Sequence, residues 1–223
     1  MNCAIRAECL RGGKLNSTEV LLQVSAEASV CTKCDLQYSR KLAVPGEGPA
    51  DAEIMFIGEG PGFHENDQGR PFVGAAGGFL EELLASIGLK RQQVFITNVV
   101  KCRPPGNRDP QFEELQACSD YLERQIQAIN PKVIVTLGRY SMARFLPNAK
   151  ISEVHGQAVK VRGRLIVPMY HPAAALHQPS LRSAIEADFV NLPEWIARVG
   201  HVPEMRADLP AKEHQTAEQL NLF

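Results

Sequence analysis

The chain has 223 residues, 44% of them hydrophobic, and a formal net charge of -1. That length supports one sizeable core, and the near-neutral charge argues against wholesale wrapping of nucleic acid while leaving room for a local basic patch. No apolar run approaches membrane-spanning length and the amino terminus lacks a signal peptide's apolar core, so a cytoplasmic protein is expected.

Residues 1–16 read as a lead-in, 17–200 as a single domain and 201–223 as a polar, flexible tail. Val20, Leu21, Val24 and Ala28 predict a helix over Ser17–Ser29, with Ser17 or Thr18 as its cap. It meets Cys31-Thr32-Lys33-Cys34. Glu53 to Ile57 then forms a buried strand that runs into the turn Gly58-Glu59-Gly60-Pro61-Gly62, a place where backbone must come close to something at the carboxyl end of a strand. No helix is expected directly after this turn, and the rest of a dinucleotide-binding fingerprint is missing. Gly77–Ile87 is a helix stopped by Gly88, and Val94–Thr97 is a second strand ending at Asn98. After the loop Cys102-Arg103-Pro104-Pro105-Gly106-Asn107-Arg108 come a helix over Gln111–Ile129, a strand over Lys132–Leu137 and a helix over Gly138–Leu146. Val159–Met169 reads as a hairpin leading to Tyr170-His171-Pro172, and Leu181–Val199 closes the domain. Strands alternating with helices in this way give an α/β fold with a parallel-type sheet covered on both faces.

Three polar groups follow three strands: Gly58-Glu59-Gly60, Asn98 and His171. Parallel strands would bring all three to one edge of the sheet. Singly, Glu59 is as well explained as a capping carboxylate, Asn98 as a turn residue, His171 as a loop histidine and Phe72 as core. Together they offer a paired donor and acceptor, a second donor and a flat apolar face, which is the equipment for gripping a planar heterocycle.

Six cysteines, Cys3, Cys9, Cys31, Cys34, Cys102 and Cys118, favour metal or redox chemistry over disulfides in a cytosolic chain. Cys31-x2-Cys34 is ligand-like, Cys102 lies in a loop between Lys101 and Arg103, and Cys118 sits on the apolar face of its helix, where a plain core thiol is the commoner finding. Four thiolates suit zinc or an iron-sulfur cluster, and spacing does not choose between them.

The segments Cys31-x2-Cys34, Gly58-Glu59-Gly60-Pro61-Gly62, Gly69-Arg70-Pro71-Phe72-Val73-Gly74, Thr97–Arg108 and His171-Pro172-Ala173-Ala174 resemble the family 4, iron-sulfur uracil-DNA glycosylases, and the resemblance spans roughly Val30 to Val199. It implies a three-layer α/β/α domain around a mostly parallel four-stranded sheet. It also implies a [4Fe-4S] cluster on Cys31, Cys34, Cys102 and Cys118, and extrusion of deoxyuridine from DNA followed by hydrolysis of its N-glycosidic bond. By the same resemblance Gly58 and Gly60 line the uracil pocket, Phe72 stacks on the base, Asn98 bonds its polar edge and His171 donates to the oxygen that gains charge. Gly60 stands where relatives of another branch carry a water-activating Asp, which leaves no obvious general base; Glu59 before it is a candidate to position water, with orientation of the neighbouring backbone or a minor role as the alternatives. Phe63-His64-Glu65-Asn66-Asp67 departs from the strongly acidic run expected after the first turn. Lys101, Arg103, Arg108 and Arg182 are expected near the DNA backbone, with Leu176 as a wedge in the vacated stack or an ordinary packed leucine.

In the tail, Gln219, Leu220, Leu222 and Phe223 resemble the short peptide that binds the bacterial sliding clamp. Alternatives of the same superfamily are action on hypoxanthine or xanthine and a tight or covalent uracil-DNA complex; an alternative of another class is a nonenzymatic iron-sulfur DNA-binding module.

Overall fold

Ile54, Met55, Phe56 and Ile57 place bulky apolar side chains at successive positions, so a strand built from them has to be covered on both faces. The computed structural model, which describes residues 15–200 and 202, meets that demand. Strands β1 (Ile54–Gly58), β2 (Phe95–Asn98), β3 (Val133–Leu137), β4 (Val159–Val161) and β5 (Arg164–Met169) form one sheet in the order β2-β1-β3-β5-β4. Pairings β1–β2, β1–β3 and β3–β5 are parallel, and β4 joins the edge antiparallel. The sheet therefore has one strand more than the expected four. The extra one is the first arm of the 159–169 hairpin, which pairs antiparallel with β5 alone and so forms the edge. At the opposite edge, Glu47 exchanges backbone hydrogen bonds with Ile96 and shields β2.

Eight helices flank the sheet among the described residues: α1 (Ser17–Ser29), α2 (Phe63–Gln68), α3 (Ala75–Ser86), α4 (Phe112–Ile129), α5 (Arg139–Ala143), α6 (Ile151–Val154), α7 (Pro172–His177) and α8 (Arg182–Ala197). Alternation along the strands sorts the core. Phe56, Ile96, Val135 and Val167 pack with α3 and α8, while Met55, Ile57, Ile134 and Ile166 pack with α4 and α5. The Phe56 and Phe189 rings lie nearly parallel at 6.1 Å. A third cluster, Val24, Leu36, Val100 and Tyr121, joins α1 to α4 around Cys102 and Cys118.

Two local expectations are corrected. The cap of α1 is Asn16, whose side chain accepts from Glu19 N at 3.0 Å while Glu19 reaches back to Asn16 N at 2.8 Å; the Ser17 hydroxyl is taken by Ala128 O at 2.6 Å. A helix, α2, does begin directly after the glycine turn, because the Glu65 carboxylate accepts from Gly62 N at 3.1 Å and caps its first turn. Cys3, Cys9 and the segment Gln219–Phe223 lie outside the described residues. No helix among the described residues is long and apolar enough to cross a membrane.

Candidate active site

Chain order places β2 on one side of β1 and β3 on the other, so the carboxyl ends of these strands border a crevice of the kind where open α/β sheets hold ligands. Glu59 leaves β1, Asn98 ends β2 in register with Gly58, Arg139 follows β3 and His171 follows β5. All four line one cleft of ≈ 620 Å³ together with Phe72 and Leu176.

Close packing dictates the glycine at 58. A β-carbon there would lie 2.4 Å from Asn98 Oδ1 and 2.7 Å from the Phe72 ring. Asn98 is 1% exposed, and its Oδ1 is buried with no hydrogen-bond partner among the described residues. A buried amide oxygen without a partner is costly unless a ligand donor meets it. Phe72 stands beside it with its ring 5.4 Å from that of His171 and inclined by 24°. His171 Nδ1 accepts from Ala173 N at 3.1 Å, which puts the proton of the neutral ring on Nε2. Burial holds the imidazole pKa down to about 4, against the pull of the Glu65 carboxylate, so the ring is neutral at physiological pH and Nε2–H is a donor. Glu59 moves the other way. Burial, and then the Asp109 carboxylate, push its pKa up to about 7, opposed by the Arg139 guanidinium.

Phe72 has φ of +50°, a left-handed backbone rarely adopted by an aromatic residue. Three groups enforce it. Glu65 Oε1 accepts from Val73 N and Gly74 N, both at 2.8 Å; Arg91 Nη1 donates to Phe72 O at 2.9 Å and its Nη2 to Pro71 O; and Gly77 has no β-carbon, which would sit 2.0 Å from Phe72 O. Glu65, Arg91 and Arg139 are site residues that the sequence reading missed. For Arg139 a signal existed, since it follows a strand at the same sheet edge as Glu59; for Arg91, distant in sequence from Phe72, none did.

The expected DNA-contacting residues separate. Lys101 is overturned in that role: it is 1% exposed, and its ammonium donates inward to Thr97 Oγ1 at 2.6 Å, Gln125 Oε1 at 2.7 Å and Asn98 O at 2.8 Å. Burial lowers its pKa to about 8. Arg182 is shared between Glu186 at 2.9 Å and Glu82 at 3.1 Å, lies over the Phe79 ring and does not line the cleft. Arg108 lines the cleft but is bidentate to Glu114 at 2.6 and 2.9 Å. Arg103 donates to Asn107 Oδ1 at 2.7 Å and lies over the Phe63 ring. Leu176 is on α7 and 48% exposed, and a β-carbon at Gly60 would lie 2.9 Å from the Val100 side chain.

Cys31, Cys34, Cys102 and Cys118 line a separate cavity. Among the described residues no three His, Cys, Asp or Glu side chains form a ready-made group for a metal ion. The donor chemistry of the cavity still fits a soft metal group: four thiols, no carboxylate or imidazole in the lining, and the cations Lys33, Arg40 and Lys101 around them. Lys101 N donates to Cys118 Sγ at 3.2 Å and Arg40 Nη1 to Cys102 Sγ at 3.5 Å. Burial, with the neighbouring Cys102 and Cys34 thiols adding to it, pushes the Cys118 thiol up to about 11 against the Lys101 charge and amide, and a bound cation would favour its thiolate.

The profile of the uracil DNA glycosylase superfamily matches residues 45–192. A type-4 uracil-DNA glycosylase of Sulfurisphaera tokodaii is 50% identical over 186 residues, covering 78% of this chain and 84% of its own. The chain belongs to this family. Further type-4 relatives are those of Archaeoglobus fulgidus, 49% identical over 79% of this chain and 93% of its own, and Thermotoga maritima, 42% identical over 82% and 97%. The family match begins at Pro45 and so takes in the whole crevice, whereas Cys31 and Cys34 precede it.

Proposed function

We propose that this chain excises uracil from DNA, extruding deoxyuridine into the cleft and hydrolysing its N-glycosidic bond to leave an abasic site. The observation that carries the reading is the convergence of the unpartnered Asn98 Oδ1, the Phe72 ring and the His171 Nε2–H at one cleft. In this reading Asn98 pairs with the donor and acceptor edge of uracil, and Phe72 covers its face. As the bond from C1′ breaks, its electron pair passes to uracil and the sugar becomes oxocarbenium-like. The neutral His171 donates through Nε2–H to the oxygen gaining charge, an electrostatic contribution of the kind whose loss costs about 10²–10³ in rate. Water adds to C1′. Glu59, with its pKa near 7, orients that water and takes its proton.

Cys31, Cys34, Cys102 and Cys118 hold a [4Fe-4S] cluster in the same reading, supported by the four-thiol cavity and its cationic rim. Held by these four residues, such a cluster would join the segment after α1, the loop after Asn98 and α4. The deciding experiment incubates the purified protein with single- and double-stranded oligonucleotides carrying one uracil, then cleaves with alkali. Strand scission and released uracil are expected from a brown protein with a broad visible band; intact strands overturn the activity, and a colourless protein without iron overturns the cluster. A nonenzymatic DNA-binding module would give retention of the oligonucleotide without an abasic product. The segment Gln219–Phe223 is a ligand for the sliding clamp on the strength of its apolar pattern. Its deletion is expected to abolish clamp pull-down and leave oligonucleotide cleavage intact, and retained pull-down overturns it.

A further inference from the structure

Phe63 is 60% exposed, although it is the first residue of α2 and lines the same cleft as Phe72, Asn98 and His171. An aromatic ring left this open at the mouth of a polar cleft is accessible to a ligand. Its surroundings are built. The Arg103 guanidinium lies 5.3 Å from the ring centroid and is oriented by Asn107 Oδ1 at 2.7 Å; the His64 ring meets the Phe63 ring edge-on at 5.4 Å. The backbone beneath is fixed by Glu65, which takes Gly62 N.

From this arrangement we infer that Phe63, with Arg103 beside it, is a stacking platform for the unpaired nucleobase next to the flipped deoxyuridine. The inference rests on the proposed uracil-excising reading of the cleft and adds a second binding site to it. A nucleobase is the occupant because the ring is continuous with the cleft that takes the neighbouring nucleotide, and because the guanidinium supplies the positive charge that a nucleic-acid backbone requires. Stacking on an aromatic face is indifferent to which base is presented, so the platform grips the strand without reading sequence. Its use requires that the neighbouring base be out of a duplex stack, which predicts a larger contribution on single strands than on double strands.

The test compares the wild-type protein with Phe63→Ala and Phe63→Trp on single-stranded oligonucleotides carrying one uracil. One substrate retains all bases; two others carry a tetrahydrofuran spacer in place of the base immediately 5′ or 3′ of the uridine. Single-turnover cleavage gives the half-saturating concentration, and fluorescence anisotropy of the same oligonucleotides gives Kd. Phe63→Ala is expected to weaken the intact substrate roughly tenfold. One spacer weakens the wild-type protein by the same factor and adds nothing to Phe63→Ala, while Phe63→Trp behaves as wild type. Equal binding of wild type and Phe63→Ala overturns the platform, as do losses from substitution and spacer that multiply; the latter would assign Phe63 a contact with the DNA other than the neighbouring base. Wild-type protein that releases no uracil from any substrate overturns the excision reading instead, and the anisotropy comparison still decides the platform.

Discussion

A left-handed backbone at an aromatic residue costs of order 1–3 kcal/mol and persists only where the surroundings over-determine it. At Phe72 they do, through the Arg91 guanidinium, the Glu65 carboxylate and the missing side chain of Gly77. That strain fixes the ring beside Asn98 before any base arrives, so the site has little ordering left to do on binding. Glu59 is the other residue held away from its ordinary state. A carboxyl with a folded pKa of about 7 binds its proton more tightly than in the unfolded chain, so its contribution to stability is fully present at low pH and is lost as pH rises through the window up to about 7. Two outcomes follow with opposite signs. The single-turnover rate of the wild-type protein should rise with pH through an apparent pKa near 7, and Glu59→Gln should flatten that profile and lower the plateau. The same substitution should raise Tm at pH 8, where the buried charge is removed, and leave it nearly unchanged at pH 4. A Glu59→Gln profile that still rises near pH 7 assigns the titration elsewhere.

At the scale of elements, the loops after the strands are tied to their scaffold by buried polar groups. The loop after β2 is zipped to β1 by Val99 N to Gly58 O at 3.0 Å and Val100 N to Glu59 O at 3.1 Å. Beneath it, the Lys101 ammonium joins Thr97, Asn98 O and Gln125, and the Gln125 amide continues to Pro45 O at 2.7 Å. Lys101 thus spans the short distance from the Asn98 backbone to the cysteine-bearing segment. Replacing it with Met removes the ammonium donor from Asn98 O and leaves Gln125 Oε1 only the longer Thr97 Oγ1 contact at 3.3 Å, each lost bond costing about 1–3 kcal/mol. Lys101→Met should lower the urea midpoint accordingly and reduce kcat/KM through displacement of Asn98. Loss of stability with kcat/KM unchanged would reduce Lys101 to a purely structural tether. Reading Lys101 as a DNA contact failed at this scale, because sequence places a lysine in a basic loop but does not tell which of its neighbours points inward.

At the scale of the whole molecule, much was legible in advance. Uninterrupted apolar stretches at Ile54–Ile57 and Val133–Leu137 demand a doubly covered sheet, and the residues that end the strands therefore gather at one edge. The family of the chain was legible because the segments that carry Gly58, Phe72, Asn98 and His171 resemble its motifs in the same order along the chain. Strand order, the antiparallel edge strand β4 and the placing of α3 and α8 opposite α4 and α5 depend on contacts between residues far apart in the chain, for which a single sequence carries no local signal. The sequence by itself determined the chemical types at the ends of the strands and the four-cysteine set. Only the tertiary structure decided which of those groups lose their water, because burial is a property of the whole packing. It makes His171 neutral, raises Glu59, turns Lys101 inward and leaves Phe63 open to the cleft.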